Sequence, residues 1–97
     1  MDRRRRPLPL AQQLEVRQRA IDEVLAHPEW PAAEAIRHVK KALGLTSADL
    51  ARLAHVGFRT VQDIEQGRTL GTVRIVDKIL GILGLRLGVV RASSDRR

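Results

Sequence analysis

The sequence predicts an all-α bundle of five helices that is followed by one short C-terminal strand. Apolar residues recur at helical spacing through most of the chain, and glycine or proline separates the periodic stretches. Hydrophobic residues make up 43% of the sequence but only Trp30 and Phe58 are aromatic, so aliphatic side chains must supply most of the core. The length of 97 residues fits one domain with a modest core.

The first thirty residues predict an arm and one helix ahead of the main domain. Residues 1–9 combine four consecutive arginines with two prolines, and predict a flexible arginine-rich arm that is either solvated or in contact with DNA. Residues 10–30 predict an N-terminal extension helix from Leu10 to Ala26, ended by the proline at position 28. Two roles for this helix stay open, since it either covers the main domain or docks another protein.

Residues 31–91 are predicted to form the main domain, and residues 92–97 a polar tail. Each of its four helices begins with a capping residue or with proline in the first turn. Three residues separate the third helix from the fourth, which requires a sharp turn between two short helices. Alternating apolar residues from Leu85 to Val90 predict the short strand. The expected helix starts are Pro31, Thr46, Gly57 and Thr72, and Gly84 is expected to end the last helix.

The charge balance favours nucleic acid as the partner. Eighteen Lys and Arg residues against eleven Asp and Glu residues give a formal net charge of +7, which attracts polyanions. Residues 31–97 hold twelve of the basic and six of the acidic residues, so most of the excess positive charge lies on the main domain.

Several other function classes are not indicated. The sequence contains no cysteine, which excludes disulfides, thiolate metal ligands and thiol nucleophiles. His27, His38 and His55 lack metal-ligand spacing, and no serine, histidine and acid pattern indicates nucleophilic catalysis. No apolar run approaches the ~20 residues needed to cross a bilayer. We therefore expect a cytoplasmic, nucleoid-associated protein that is not an enzyme, needs no cofactor or metal and contacts no membrane.

Two short helices joined by a tight turn in a basic domain are typical of helix-turn-helix recognition, in which the second helix enters the major groove. Residues 42–67, ALGLTSADLARLAHVGFRTVQDIEQG, resemble the Xre, or phage-repressor-like, helix-turn-helix family in fixed register. The resemblance implies a lambda-repressor-like bundle that binds double-stranded DNA at a near-palindromic operator. Three residues depart from the family pattern: Ser47 replaces a frequent phosphate-contacting Gln, His55 a frequent Gly, and Gly57 a frequent Ser or Thr.

Residues 72–90, TVRIVDKILGILGLRLGVV, further resemble the HipB-like antitoxin branch of that family, in which a dimer-forming strand follows the last helix. This resemblance implies a sequence-specific transcriptional repressor that is the antitoxin of a HipBA-like toxin–antitoxin module. Such a protein autoregulates its operon and sequesters a HipA-like kinase toxin. Two alternatives stay open: a stand-alone or phage-type repressor without a toxin, and a protein–protein adaptor that uses the N-terminal helix.

The resemblance assigns the DNA contacts to the fourth helix and its flanks. Base-edge chemistry favours guanine for an arginine, adenine for a glutamine, cytosine for an aspartate and a thymine methyl group for a phenylalanine ring. Two alternatives stay open: Arg59 pairs with Asp63 one turn away, and Phe58 packs on aliphatic neighbours. The matching base-reading positions are Phe58, Arg59, Gln62 and Asp63. The expected phosphate contacts are Ser47, Thr60, Arg68, Thr69 and Lys41, whereas Arg37, Lys40 and Arg52 are weaker candidates on a solvated face.

The fifth helix and the strand predict a homodimer. One apolar stripe of the helix is expected to face the core, and a second stripe would be exposed in a monomer unless the N-terminal helix covers it. An edge strand would offer free backbone groups for antiparallel pairing with a second copy. The expected core stripe is Val73, Val76, Leu80 and Leu83. The expected dimer interface is Ile75, Ile79, Ile82, Leu85, Leu87 and Val89.

Overall fold

The computed structural model describes residues 8–92, so residues 1–7 of the predicted arm and residues 93–97 of the tail lie outside it. The described part is all-helical, which confirms the all-α part of the predicted fold. None of its helices has both the length and the apolar character that a bilayer span needs. The helices are α1 (Leu10–Leu25), α2 (Ala32–Ala42), α3 (Ser47–Ala54), α4 (Phe58–Glu65) and α5 (Val73–Ile82).

Side-chain caps fix the starts of α3 and α5. The Thr46 hydroxyl accepts a hydrogen bond from the Asp49 N–H at 3.0 Å, and the Asp49 carboxylate accepts one from the Thr46 N–H at 2.9 Å. This reciprocal pair is a capping box. The Thr72 hydroxyl accepts from the Ile75 N–H at 3.1 Å. Pro31 occupies the N-cap of α2 and not its first turn, so α2 begins one residue later than predicted.

Helices α2 to α5 all end in a Schellman-type turn at a residue with positive φ. After each of these residues, the next N–H donates to the carbonyl five residues earlier, at 2.8–3.0 Å. Among the described residues, His55, with φ 58°, is the only residue other than glycine in this left-handed region. The turn residues are Gly44, His55, Gly67 and Gly84.

The core lies mainly among α2, α3, α4 and α5, while α1 packs against α2 and contributes Ala20 to it. Helix α3 packs against α4 and α5, and α2 packs against the same two helices. From α1, Ala20 is the buried residue, at 2% exposure. The largest fully buried side chains are Ile36, Leu50, Ile79, Leu83, Val39 and Val61.

Helix α5 faces the core with a different stripe from the one predicted. Val73 is 74% exposed and Ile79 is fully buried, so the core stripe is Val76, Ile79, Leu80 and Leu83. This set follows the i, i+3, i+4, i+7 pattern of a helix face. The expectation that a monomer would leave the isoleucine stripe exposed is wrong, because α2 and α3 pack against α5. Ile75 and Ile82 are half-buried against the same core.

The predicted strand at residues 85–90 is also wrong for the single chain, since no β-strand is present within residues 8–92. A strand needs a neighbouring strand to complete its hydrogen-bond ladder, and this segment instead bonds to α5. The Leu85 N–H donates to the Leu80 carbonyl at 2.9 Å, and the Leu87 N–H donates to Asp77 Oδ1 at 2.8 Å. These two bonds hold the beginning of the segment against α5.

Candidate nucleic-acid interface

Helices α3 and α4 are each eight residues long and are joined by three residues. The left-handed backbone of His55 reverses the chain after α3, and Val56 packs against the core beside it. Gly57 then serves as the N-cap of α4. The inner faces of both helices are buried, which leaves the opposite face of α4 toward solvent. The buried residues of the pair are Leu50, Ala51, Ala54, Val61, Ile64 and Glu65.

The first turn of α4 presents two exposed side chains that the sequence assigns to base reading. Phe58 is 48% exposed, and the Arg59 side chain is 83% exposed. Arg59 Nε lies 3.9 Å from Asp63 Oδ1, which is too long for a hydrogen bond. A surface ion pair at that distance restrains a side chain little. The guanidinium of Arg59 is therefore available to a ligand.

Asp63 has Arg68 as its closer partner. Arg68 Nε donates to Asp63 Oδ1 at 2.7 Å, and the Arg68 guanidinium also bonds to the Gln66 side chain. The Arg68 N–H in addition donates to the Asp63 carbonyl at 2.8 Å. These bonds tie the loop after α4 to the helix. They also reduce the acceptor capacity that Asp63 would offer to a cytosine.

The predicted phosphate-contact residues divide into exposed and inward-facing groups. Lys41 and Thr69 are exposed, and Thr60 is half-buried in the first turn of α4. Arg68 keeps 53% of its side chain exposed while it holds Asp63. Ser47 differs from these, because its hydroxyl donates at 2.5 Å to the buried Glu65 carboxylate.

All three weaker phosphate candidates also have partners on the protein itself. Arg37 Nη1 donates to the backbone carbonyl of Glu65, and Arg37 Nη2 lies 2.5 Å from Glu34 Oε1. Lys40 Nζ lies 3.1 Å from Glu65 Oε2, and Arg52 Nη2 lies 3.3 Å from an oxygen of Asp49. Arg37 and Lys40 therefore connect α2 with the end of α4.

Sequence reasoning missed the role of Glu65, although the sequence carries a signal for it. Glu65 follows Val61 by four residues and so falls on the buried stripe of α4. Lys40 follows Ile36 by four residues and falls on the buried stripe of α2 in the same way. Opposite charges on two apolar stripes that face one core indicate a buried ion pair.

A family model described as a helix-turn-helix domain matches residues 31–93. The chain belongs to this helix-turn-helix family. The matched range begins at the N-cap of α2 and includes α3 and α4, so α1 lies outside the helix-turn-helix domain. No curated protein and no solved structure matches the chain. The family and the helical fold fit binding to double-stranded DNA, whereas the HipB-like branch stays a prediction.

The helix-turn-helix domain shows one clear electrostatic perturbation, at the start of α3. The Thr46 N–H donates to the Asp49 carboxylate and holds the pKa of Asp49 below its usual range. The Thr46 hydroxyl and the Arg52 guanidinium shift this pKa in the same direction. The carboxylate therefore stays ionised at the N-terminus of α3, where negative charge is favourable.

No group of three or more His, Cys, Asp or Glu side chains that could hold a metal ion occurs within residues 8–92. His27 and His38 each contact the Trp30 ring instead. The His27 ring stacks on the Trp30 ring with centroids 4.3 Å apart, and His38 Nε2 lies 2.5 Å from Glu23 Oε1. The His38–Glu23 contact connects α2 with α1, and the His27–Trp30 stack lies in the loop between these two helices.

Proposed function

We propose that this helix-turn-helix protein is a sequence-specific transcriptional repressor that binds double-stranded DNA as a homodimer. The observation that carries the proposal is the first turn of α4, where Arg59 has 83% of its side chain exposed. That turn is the part of a recognition helix that enters the major groove. The net charge of +7 supports attraction to DNA, and the protein acts at the nucleoid without a cofactor or a catalytic step.

The proposal gives the side chains around α4 separate tasks. Arg59 reads guanine through a bidentate pair, Gln62 reads adenine, and Phe58 packs on a thymine methyl group. Of the four base-reading positions, Asp63 is the least suited to contact a base, because Arg68 Nε already donates to its carboxylate at 2.7 Å. The expected phosphate contacts are Lys41, Thr60, Arg68 and Thr69, which fix the register of the protein on the duplex.

Selection of a preferred site from random DNA, followed by the Arg59→Ala variant, tests this proposal. The variant is expected to lose ~1 to 3 kcal/mol of discrimination at one base pair and to keep most of its nonspecific binding. Binding by both proteins should weaken steeply as salt rises, because phosphate contacts release counterions. Arg19→Ala is the charge-matched control on α1 and should leave discrimination unchanged. An equal loss on all DNA sequences would contradict base reading by Arg59.

The proposed homodimer uses the segment that follows α5. Val89 and Val90 are 99% and 70% exposed, and Leu87 is 37% exposed, so this segment presents apolar surface to solvent. Antiparallel pairing with a second copy would complete a strand that one chain cannot form alone. Ile75, Ile82 and Leu85 are half-buried and stay in the proposed interface, but the fully buried Ile79 is left out of it. Such a dimer places two copies of α4 ~34 Å apart, in successive major grooves.

Sedimentation equilibrium tests the dimer. Val89→Asp is expected to shift the protein to the monomer, because a charge would be buried between two segments. Leu14→Asp changes an equally apolar exposed residue on α1 and should leave the dimer intact. Equal sedimentation of wild type and both variants as monomers would contradict the dimer.

The antitoxin role is a more specific proposal that rests on the resemblance of residues 72–90 to HipB-like proteins. It makes the dimer the partner of a HipA-like kinase toxin whose operon it represses. Purification of the native complex with its bound protein and DNA tests it. Recovery of operator DNA without a kinase would favour a stand-alone or phage-type repressor.

A second candidate function, a protein–protein adaptor, is favoured by the surface of α1. Leu10, Leu14 and Leu25 are 70%, 57% and 66% exposed along a helix that lies outside the family match. An adaptor of this kind would bind its partner through α1 and would select no DNA sequence. The random-site selection described above separates the two functions.

A further inference from the structure

We propose that Ser47, Lys40 and Glu65 form a positioning cluster that sets the angle at which α4 is presented to DNA. This inference rests on the proposed DNA-binding function. In the family, the residue at the position of Ser47 often contacts a phosphate. Here we assign Ser47 instead to holding the Glu65 carboxylate in place.

The positioning cluster joins three helices through one buried carboxylate. Glu65 is the last residue of α4 and is 6% exposed. Ser47, the first residue of α3, donates its hydroxyl to Glu65 Oε1 at 2.5 Å. Lys40 of α2 lies 3.1 Å from Glu65 Oε2 and donates to the Ser47 hydroxyl at 3.2 Å. The three side chains thus form a closed triangle of contacts.

Glu65 is an unfavourable residue at its position unless both partners are present. Burial of a carboxylate is costly without compensating partners, and the C-terminal end of a helix dipole disfavours negative charge. Glu65 Oε2 is buried and accepts no well-aligned hydrogen bond among the described residues, so the Lys40 ammonium is its compensation. A buried polar cluster of this kind selects one arrangement of its helices over others.

A second contact fixes the same end of α4. Arg37 donates to the Glu65 backbone carbonyl, which is one of the terminal carbonyls that the helix itself leaves unsatisfied. Two cations from α2 therefore hold the C-terminal end of α4, while Phe58 and Arg59 are exposed at the opposite end. This asymmetry makes the C-terminal end the fixed point of the recognition helix.

The length of α4 turns a small change of angle into a loss of base contacts. Eight residues span about 12 Å at the helical rise. A tilt of about 5° at the C-terminal end would therefore move the first turn by about 1 Å. Hydrogen bonds to base edges do not survive displacements of this size, whereas long-range attraction to phosphates does.

The experiment removes the ion pair without leaving a buried charge. In the Lys40→Met/Glu65→Met double variant, apolar side chains of similar size replace both charges, so the domain is expected to fold. Binding is measured on the selected site and on all its single-base variants, relative to nonspecific DNA. The double variant is expected to keep its nonspecific affinity within about twofold and to lose about tenfold or more of its specificity ratio, spread over several base pairs. Lys41→Met is the matched control and should weaken binding to every DNA sequence equally.

Ser47 supplies a second, milder test that does not depend on the folding of the double variant. Ser47→Ala removes the hydroxyl between Lys40 and Glu65 and is expected to lower the specificity ratio in the same distributed way. Ser47→Thr keeps the hydroxyl and is expected to restore the ratio. A direct phosphate contact by Ser47 would instead weaken specific and nonspecific binding together, and that result would overturn the proposal.

Amide chemical shifts separate a failure of this inference from a failure of the proposed function. In the double variant without DNA, shifts are expected to change along α4 and to stay constant in α1. A wild-type protein that selects no DNA sequence would refute the proposed function, and the α4 shifts would still test the positioning cluster. A folded double variant with wild-type α4 shifts and the wild-type specificity ratio would overturn it.

Discussion

Helix α1 and the helix-turn-helix domain are both amphipathic in sequence, but they differ in what they bury. Helix α1 is the longest of the described helices, with 16 residues, and buries only Ala20. Helix α5 has 10 residues and buries Val76, Ile79 and Leu80. The family match also begins after α1, at residue 31. Helical periodicity therefore indicates which face of a helix is apolar, but the neighbouring helices decide how much of that face is buried.

The contacts of α1 explain the difference. It packs along α2, and at one place it also reaches the turn that ends α5. A Cβ on Gly84 would lie 2.7 Å from Arg17 Nη2 and 3.0 Å from Ile21 Cδ1, so side chains of α1 lie directly on this turn. Val24 of α1 is also half-buried against the core, whereas Leu10, Leu14 and Leu25 are exposed. We infer that the domain supplies most of the stability, and the following predictions test that inference.

The largest expected effect comes from paired leucine truncations in the two regions. Leu50→Ala removes a fully buried side chain in α3 and is expected to lower the free energy of unfolding by ~2 to 5 kcal/mol. Leu14→Ala on α1 starts from a side chain that is 57% exposed and is expected to change it by no more than ~0.5 kcal/mol. Urea denaturation of both variants measures the difference. Comparable losses would show that α1 is as important to the core as α3.

A smaller effect is expected where α1 meets α2. Ala20→Leu adds bulk at a position that is 2% exposed and should cost ~1 to 3 kcal/mol, because the two helices must move apart. Ala11→Leu makes the same change at an exposed position of α1 and serves as the control. If both variants unfold at the wild-type urea concentration, α1 does not pack on α2 as described.

The sequence predicted the positions of the helices, but not all of the contacts between them. Glycine, threonine and proline signals are local, and they placed all five helices within one or two residues. The orientation of α5 depends on its packing against α2 and α3, which local periodicity cannot represent. Val73, which was predicted to face the core, is therefore exposed, and Ile79, which was predicted to lie in the dimer interface, is buried. The partner of Asp63 could not be predicted either, because it depends on the path of the loop that carries Arg68. The predicted strand is absent from the described residues because the segment bonds to α5 at Leu85 and Leu87.

Loss of a helix cap is expected to have a moderate effect in the domain. Thr46→Ala removes the hydroxyl that accepts from the Asp49 N–H and should cost ~1 kcal/mol of unfolding free energy. Helix α1 offers a natural contrast, since its N-cap, Pro9, makes no side-chain cap hydrogen bond. Thermal unfolding of the Thr46→Ala and Thr46→Ser variants measures this cap. Ser should retain stability, and an equal loss with Ser and Ala would contradict a hydroxyl cap.

The turn between α3 and α4 is expected to gain stability from a smaller residue. His55 has a left-handed backbone, with φ 58°, that other side chains rarely adopt and glycine adopts freely. His55→Gly is expected to raise the free energy of unfolding by ~0.5 to 1 kcal/mol, since relief of strain exceeds the added entropy of the unfolded chain. His55→Ala keeps a Cβ and should give no such gain. A destabilised glycine variant would show that the imidazole makes a stabilising contact.

The smallest expected effect is the acid sensitivity of α3, which α1 should lack. The Asp49 pKa is lowered in the folded protein, mainly by the Thr46 N–H, so the ionised carboxylate stabilises the fold above the unfolded-state pKa of about 4. That contribution is lost as the pH falls through the lower, folded-state pKa. Asp49→Asn keeps an acceptor for the Thr46 N–H but cannot titrate there, so wild type and variant should converge in stability as the pH falls below about 4. Helix α1 has no acidic residue in its first turn and therefore no corresponding group to protonate. A stability difference that stays constant between neutral and acidic pH would mean that the capping box does not depend on the charge of Asp49.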